Sequence, residues 1–205
     1  DGGQPAPLGL GDRSGAEAFA MSAETKEAMF YHSLIIVPAN SPAKALADLK
    51  GKTMLFADPV STSGHLVPEM MFAKEFNLDG KSVDKFFSTV SYSGGHDKSV
   101  LAIAKGQADA AGVCDTCLQN YVKAGIVKES EVKVLAKSDP IPNSPISYRN
   151  DLPDSLKTAL KDFFLNYDNK DYLGENHFYP IADSDYESVR ETADLLDMSP
   201  EDLLK

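Results

Sequence analysis

The chain has 205 residues, 42% of them hydrophobic and 25% charged, which suffices for one sizeable core or two small lobes. Its 20 basic and 31 acidic residues give a net charge of −11, which argues against a nucleic-acid partner because that affinity rests on neutralising phosphates. The longest apolar run, Leu34-Ile35-Ile36-Val37, is strand-sized and far short of the about 18 residues of a membrane span, so no direct membrane insertion is expected.

Residues 1–15 hold five Gly and two Pro and suggest a flexible lead-in without the basic and apolar segments of a secretory signal. Tyr31 to Pro38 has the composition of a buried strand. Ala43 to Leu49 is predicted as a short helix with Ser41 as N-cap and Pro42 at its first position, ended by Gly51. A βα alternation follows. Strands are predicted at Lys52–Ala57, Phe86–Tyr92 and Ala108–Val113, and helices at Gly64–Phe76, Asp97–Lys105 and Asp115–Lys123. Such alternation implies crossover units and a mostly parallel sheet. Val132–Lys137 is a further strand, leading through Asp139-Pro140-Ile141-Pro142 to Pro145–Tyr148. The remainder is expected to be helical, at Pro153–Leu165 and at Asp185–Leu196 behind a capping box starting at Ser184, with a last short turn at Ser199–Asp202.

Chemical content concentrates at two strand-to-helix junctions. In Asp58-Pro59-Val60-Ser61-Thr62-Ser63-Gly64, three small hydroxyl residues precede a predicted helix, outside the carboxyl end of a strand, where open α/β sheets place ligands. The first N–H groups of a helix lack internal partners and carry partial positive charge, so with the hydroxyls they form a cradle for a tetrahedral oxyanion. Such a cradle needs no formal charge, so the acidity of the chain does not exclude an anionic ligand. The same residues also suit a plain N-cap. The second junction, Ser91-Tyr92-Ser93-Gly94-Gly95-His96, repeats the arrangement with a histidine able to donate to an anion. No G-x-x-x-x-G-K-[ST] or G-x-G-x-x-G loop is present, and no cofactor is expected.

Over these residues the chain resembles the periplasmic phosphate/phosphite/phosphonate-binding proteins of ABC transporters. The resemblance runs collinearly from about Ala16 to Met198. It is carried by Tyr31-His32-Ser33, Ala47-Asp48-Leu49-Lys50-Gly51-Lys52, the D-P-x-S-T-S-G stretch from Asp58 to Gly64 with His65-Leu66-Val67-Pro68, Tyr92-Ser93-Gly94-Gly95-His96, Lys105–Ala110, Ser138–Pro142 and Asp183–Tyr186. It implies a type II periplasmic-binding-protein fold, with two α/β lobes closing over a phosphorus oxyanion in the cleft. Residues 1–41 would be the lead-in and part of lobe one, 42–132 the central lobe two, and 133–205 the return to lobe one with C-terminal helices. It further implies ligand contacts from Ser61, Thr62, Ser63, Gly64 and His96, a cleft-lining Tyr31, and Asp115 placed to meet a substrate amine. The implied partner is a membrane permease of an ABC importer, and the implied location is periplasmic or otherwise extracytoplasmic.

Three departures qualify the resemblance. Family members begin with more residues, so lobe one is expected to be incomplete in this chain. Asn143-Ser144 stands where some relatives have an acid in I-P-x-x-P, which favours phosphite, phosphate or a simple alkylphosphonate over an aminophosphonate. Cys114-Asp115-Thr116-Cys117 adds a C-x-x-C at a helix start. The pair suits a structural disulfide, a redox pair or a thiophilic ligand such as arsenite. It cannot complete a structural zinc site by itself, and no metal site is expected. Alternatives to the transport reading are an oxyanion sensor and a hydrolase using a hydroxyl of Ser61–Ser63 with His96 as base, for which no third triad member stands out. Asp183 and Asp185 suit helix-start charges, His177 loop packing, and His65 an exposed first-turn position.

Overall fold

The computed structural model describes residues 15–196. Its longer strands are β1 (Ala16–Ala23), β2 (Ser33–Pro38), β3 (Thr53–Phe56), β4 (Thr89–Tyr92), β5 (Ala110–Cys114), β6 (Val132–Lys137), β7 (Ile146–Arg149) and β8 (His177–Pro180). Its longer helices are α1 (Val67–Phe76), α2 (His96–Ala104), α3 (Asp115–Lys123), α4 (Asp154–Leu165) and α5 (Glu187–Leu195). The described residues divide into two compact units, one formed by 15–30 with 141–191, the other by 31–140 with 192–196. No helix among the described residues is long and apolar enough to cross a membrane.

The larger unit is built on a five-stranded sheet in the order β4-β3-β5-β2-β6. β3 runs parallel to β4 and to β5, as the βα alternation requires. β2 alone is reversed: it pairs antiparallel with both β5 and β6, so β6 runs in the same direction as β3, β4 and β5, and the sheet is mixed with one strand against the rest. Alternate side chains of β2 point to opposite faces, and each face supplies a separate core. Ile35 and Val37 pack with Met54, Phe56 and Phe72, the last from α1. Leu34 and Ile36 pack with Val100 and Ile103 of α2, Val113 of β5 and Leu118 of α3. A strand loaded on both sides is apolar without interruption, which is why Leu34–Val37 carries no polar residue.

The smaller unit holds a three-stranded antiparallel sheet in the order β8-β1-β7. Phe19 of β1 stacks on Tyr148 of β7 with ring centroids 4.7 Å apart, and Phe164 of α4 meets Phe19 edge-on at 5.5 Å. Met21 and Ala23 of β1 pack with Met29 and Ile181. Asn143, at the position considered for a ligand-pairing acid, is a packing residue of this unit: its backbone and side-chain N–H groups donate to Met29 and Ala28 carbonyls, and its own carbonyl accepts from the Tyr186 hydroxyl.

Several elements differ from expectation. The helix predicted at 43–49 shrinks to a 3₁₀ turn at Leu46–Leu49. The Asp48 carboxylate accepts the N–H groups of Lys44 and Ala45, at 2.8 and 3.1 Å, and holds that segment outside the turn, while Ser41 Oγ reaches only the Ala43 N–H. His177 lies in strand β8 rather than a loop. The helix expected from Asp185 begins as a 3₁₀ turn at Asp183–Tyr186, with Asp185 rather than Ser184 accepting the Ala182 N–H, at 2.8 Å. Asp183 is ion-paired with Arg190. The units divide at 30/31 and 140/141 rather than at 41/42 and 132/133, because β2 and β6 hydrogen-bond into the larger unit's sheet. The lead-in through residue 14 and the turn at Ser199–Asp202 lie outside the described residues.

Candidate anion site

β3, β4 and β5 are parallel, so their carboxyl ends lie at one edge of the sheet. The Asp58–Gly64 loop follows β3, the Ser93–Gly95 loop follows β4, and Cys114-Asp115 closes β5. The antiparallel β2 begins at this edge, with Ser33 opposite Cys114, and β6 ends there. Tyr31, Ser61, Thr62, Ser63, Gly64, His96 and Asp115 are therefore all delivered to one end of the larger unit.

The first helical turn after Ser61 is wide. The Ser61 carbonyl accepts from both the His65 and the Leu66 N–H, at 3.0 and 3.1 Å, and Thr62–Leu66 forms a π-type turn leading into α1. Pro68 stands four residues after Gly64 and has no N–H to offer, so the Gly64 carbonyl is free to accept from Ala57 at the end of β3, at 2.9 Å. This bond pulls the turn against the strand end. A Cβ at Gly64 would overlap the Ala57 Cβ and stand 2.8 Å from Ser61 Oγ and 2.9 Å from His96 Cε1. A Cβ at Gly112 of β5 would come within 2.7 Å of Pro68 and 3.0 Å of the Gly64 carbonyl, so the close approach requires glycine on both sides.

Ser61 caps this turn, its Oγ accepting the Gly64 N–H at 3.1 Å. The N–H groups of Thr62 and Ser63 precede any intrahelical acceptor and belong to the anion-binding end of the helix. Ser63 is buried, and its hydroxyl bonds to the side chain of Tyr31. Burial pushes the Tyr31 phenol up, opposed by this bond and reinforced by the charge of Asp115, so Tyr31 stays a neutral donor.

His96 opens α2 and lies between the two halves of the site. Its Nδ1 accepts the Cys114 N–H at 3.3 Å, and its Nε2 lies 3.4 Å from Ser61 Oγ. An accepting Nδ1 puts the proton of the neutral ring on Nε2. Burial depresses the His96 pKa, outweighing the opposing charge of Asp97, so the ring is held neutral. Nε2–H and the Ser61 hydroxyl hydrogen can both be directed at an anion.

Behind the loop, Ser33 is fully buried and donates its hydroxyl to the Ser63 carbonyl at 2.7 Å. The Ser33 N–H donates to Ser138 Oγ at 2.9 Å, and the Ser138 N–H returns a bond to the Ser33 carbonyl. Ser33 and Ser138 thus support the site without facing a ligand, a role the sequence showed only as membership in matching stretches. Asp115 is half-buried, with Oδ1 accepting the N–H groups of His32 and Thr116 at 3.1 and 2.7 Å, so one of its oxygens is committed to the backbone. His65 is buried rather than exposed: Nδ1 meets the Pro59 carbonyl at 2.8 Å and Nε2 lies 3.2 Å from both the Tyr92 hydroxyl and Glu69, so it packs the loop from below. Cys114 and Cys117 are joined in a disulfide, which leaves no thiolate for a thiophilic oxyanion in this form.

Comparison with known proteins meets this geometry. Residues 6–190 match the family described as ABC transporter, phosphonate, periplasmic substrate-binding protein. The chain belongs to this family. The phosphonates-binding periplasmic protein of Escherichia coli is 36% identical over 160 residues, covering 76% of this chain and 46% of that protein. The phosphate-import protein PhnD of Mycolicibacterium smegmatis is 31% identical over 169 residues, covering 73% of this chain and 53% of that protein. The chain thus spans about half the length of these curated relatives. The binding component of an ABC phosphonate transporter from Pseudomonas aeruginosa superposes with a TM-score of 0.68 at 30% identity, over 88% of this chain and 62% of that one. PhnD1 of Prochlorococcus marinus, solved with methylphosphonate, shares the fold with a TM-score of 0.67 at 21% identity, over 89% of this chain and 72% of that one.

Replacing Ser33 by Ala leaves the buried Ser63 carbonyl without this donor and is expected to cost about 1–3 kcal/mol, measured by urea denaturation. Gly64→Ala should cost about 1–3 kcal/mol in the same measurement through overpacking against Ala57. His96 is also expected to give a pH signature. Its folded pKa lies below the ordinary 6.5, so between the two values the unfolded chain binds more protons and stability falls as pH drops. Melting temperatures of the wild type should therefore decline more between about pH 7 and pH 5 than those of His96→Gln, and parallel declines would contradict the assignment.

Proposed function

We propose that this chain binds a phosphonate or a related phosphorus oxyanion, phosphite or phosphate, as the solute-binding component of an ABC importer. The observation that carries this reading is the 3.4 Å approach of His96 Nε2 to Ser61 Oγ, which places a neutral N–H donor beside the hydroxyls and first N–H groups of the Ser61–Gly64 turn. Ser61, Thr62, Ser63 and His96 would hold the anionic oxygens, with Tyr31 adding a phenol from just before β2. Family membership and the phosphonate- and phosphate-binding names of the curated relatives support the same ligand class.

Asp115 keeps one carboxylate oxygen that would meet an amine on the ligand, should the ligand carry one. Delivery would be to a membrane permease, in the periplasm or another extracytoplasmic compartment, where a disulfide such as Cys114–Cys117 persists.

The same geometry argues against a hydrolase. A general base for Ser61 would need an unprotonated Nε2, whereas the Cys114 N–H occupies Nδ1 and keeps the proton on Nε2. Among the described residues no carboxylate holds His96 in the opposite tautomer; Asp97 acts on it through its charge.

Calorimetric titration of the disulfide form with methylphosphonate, phosphite and phosphate should show one site. The double variant Ser61→Ala, Ser63→Ala should bind at least about tenfold more weakly, a loss of about 1.4 kcal/mol. Unchanged affinity would remove the site assignment, and phosphate release from a chromogenic monoester would favour an enzyme instead.

A further inference from the structure

We propose that, once its disulfide is reduced, this chain holds a soft divalent cation such as zinc, cadmium or cobalt(II) between the sulfurs of Cys114 and Cys117 and Nδ1 of His96. The oxyanion reading uses His96 but gives the C-x-x-C no task beyond a cross-link. Yet a ring nitrogen of His96 and the two sulfurs all lie within 4.8 Å of one another. Zinc–sulfur bonds of about 2.3 Å and zinc–nitrogen bonds of about 2.0 Å at tetrahedral angles require ligand atoms about 3.5–4 Å apart, so small side-chain rotations from the present positions reach that spacing.

The surroundings favour thiolates at this place. Cys114 caps α3 and its sulfur accepts the Cys117 N–H at 3.0 Å, with the Thr116 hydroxyl at 3.6 Å. A sulfur at the start of a nine-residue helix, with these donors around it, is stabilised in its charged form. Cys114 is buried, and His96 and Cys117 are half-buried, so the ligands are partly shielded from competing water.

The ring is already turned for this role. The Nδ1 lone pair points to the cysteine side, where it accepts the Cys114 N–H at 3.3 Å, while Nε2 faces Ser61. A cation on Nδ1 would take over that lone pair and leave Nε2–H aimed at the anion site. Three protein ligands also leave a fourth position open to water.

A dithiol reductant gives two electrons and two protons to the Cys114–Cys117 bond, which breaks into two thiols as the dithiol closes to its own disulfide. The cation then displaces the two thiol protons to water as both Sγ–metal bonds form.

The test is cobalt(II) titration of the whole chain, with and without tris(2-carboxyethyl)phosphine. This phosphine reduces the disulfide and takes the oxygen of one water, whose two protons go to the thiols. The reduced protein should take up one cobalt per chain with a thiolate-to-metal charge-transfer band and the intense visible bands of a tetrahedral site, and the oxidised protein should not. Cys117→Ser should lose most of the charge-transfer band. His96→Ala should bind cobalt at least about tenfold more weakly, with altered visible bands, and His96→Gln serves should the alanine variant melt early. No cobalt uptake by the reduced protein, or an unchanged spectrum and affinity in both His96 variants, would overturn the proposal.

A second arm rests on the oxyanion reading: zinc should raise methylphosphonate affinity of the reduced protein at least about threefold, a gain of about 0.7 kcal/mol. An unchanged or lower affinity would overturn the placement on Nδ1. Failure of methylphosphonate to bind the oxidised, metal-free protein would count against the oxyanion reading, while the cobalt spectrum alone decides the cation site.

Discussion

The bond from the Ala57 N–H to the Gly64 carbonyl ties the end of a strand to the third residue of a turn that has not yet become an ordinary helix. Much of the site follows from it. It exists because Pro68 has no N–H and so leaves the Gly64 carbonyl unclaimed. It draws the turn close enough that only glycine fits at 64 and at 112. It also sets the hydroxyl of Ser61 beside the ring of His96, which arrives from a different crossover unit. With an N–H-bearing residue at 68, a normal helical turn would spend the Gly64 carbonyl within the helix and let the loop move away from the strand.

Around that stitch, polar groups are stacked in depth. Ser61 and His96 stand in front. Ser63 and Tyr31 lie beside them, with Ser33 holding the Ser63 carbonyl and Ser138 holding Ser33. On the far side, His65, Tyr92 and Glu69 fill the space under the loop. Most partners are neutral, so a strongly acidic chain can still present a donor-rich surface to an anion. The electrostatic work falls to oriented N–H and O–H groups rather than to lysine or arginine, and such groups need no reorganisation when a ligand arrives.

The sequence made the strand-to-helix alternation and the two hydroxyl-rich junctions legible, because period, small residues and helix-start preferences are local signals. It also showed which residues lie on one edge, since consecutive crossovers bring strand ends together. It could not show that β2 is reversed between β5 and β6, because that direction is set by pairing with strands that lie more than seventy residues further along the chain. β1 and β8 escaped notice because Ala16–Ala23 is rich in small residues and His177–Pro180 is short and aromatic, neither giving a clear alternation. The 43–49 segment has helical composition, yet one carboxylate, Asp48, diverts its first two N–H groups. His65 differs from its expected exposure for a related reason: its burial depends on Tyr92 and Pro59, which sequence spacing cannot place beside it. The tautomer of His96, on which the difference between binder and hydrolase turns, depends on one backbone N–H of Cys114.

The position of β2 has a consequence for how the chain acquires its structure. Ile35 pairs with Gly112 on one side and Ala136 on the other, and both cores of the larger unit rest on β2. The strand made first therefore waits for the strands made last. As the polypeptide is synthesised, Leu34–Val37 stays an uncovered apolar segment until most of the unit has emerged, and closing such distant contacts is slow. The order of strands in this sheet thus favours a chain that remains unfolded, and open to handling by chaperones, for much of its time between synthesis and use.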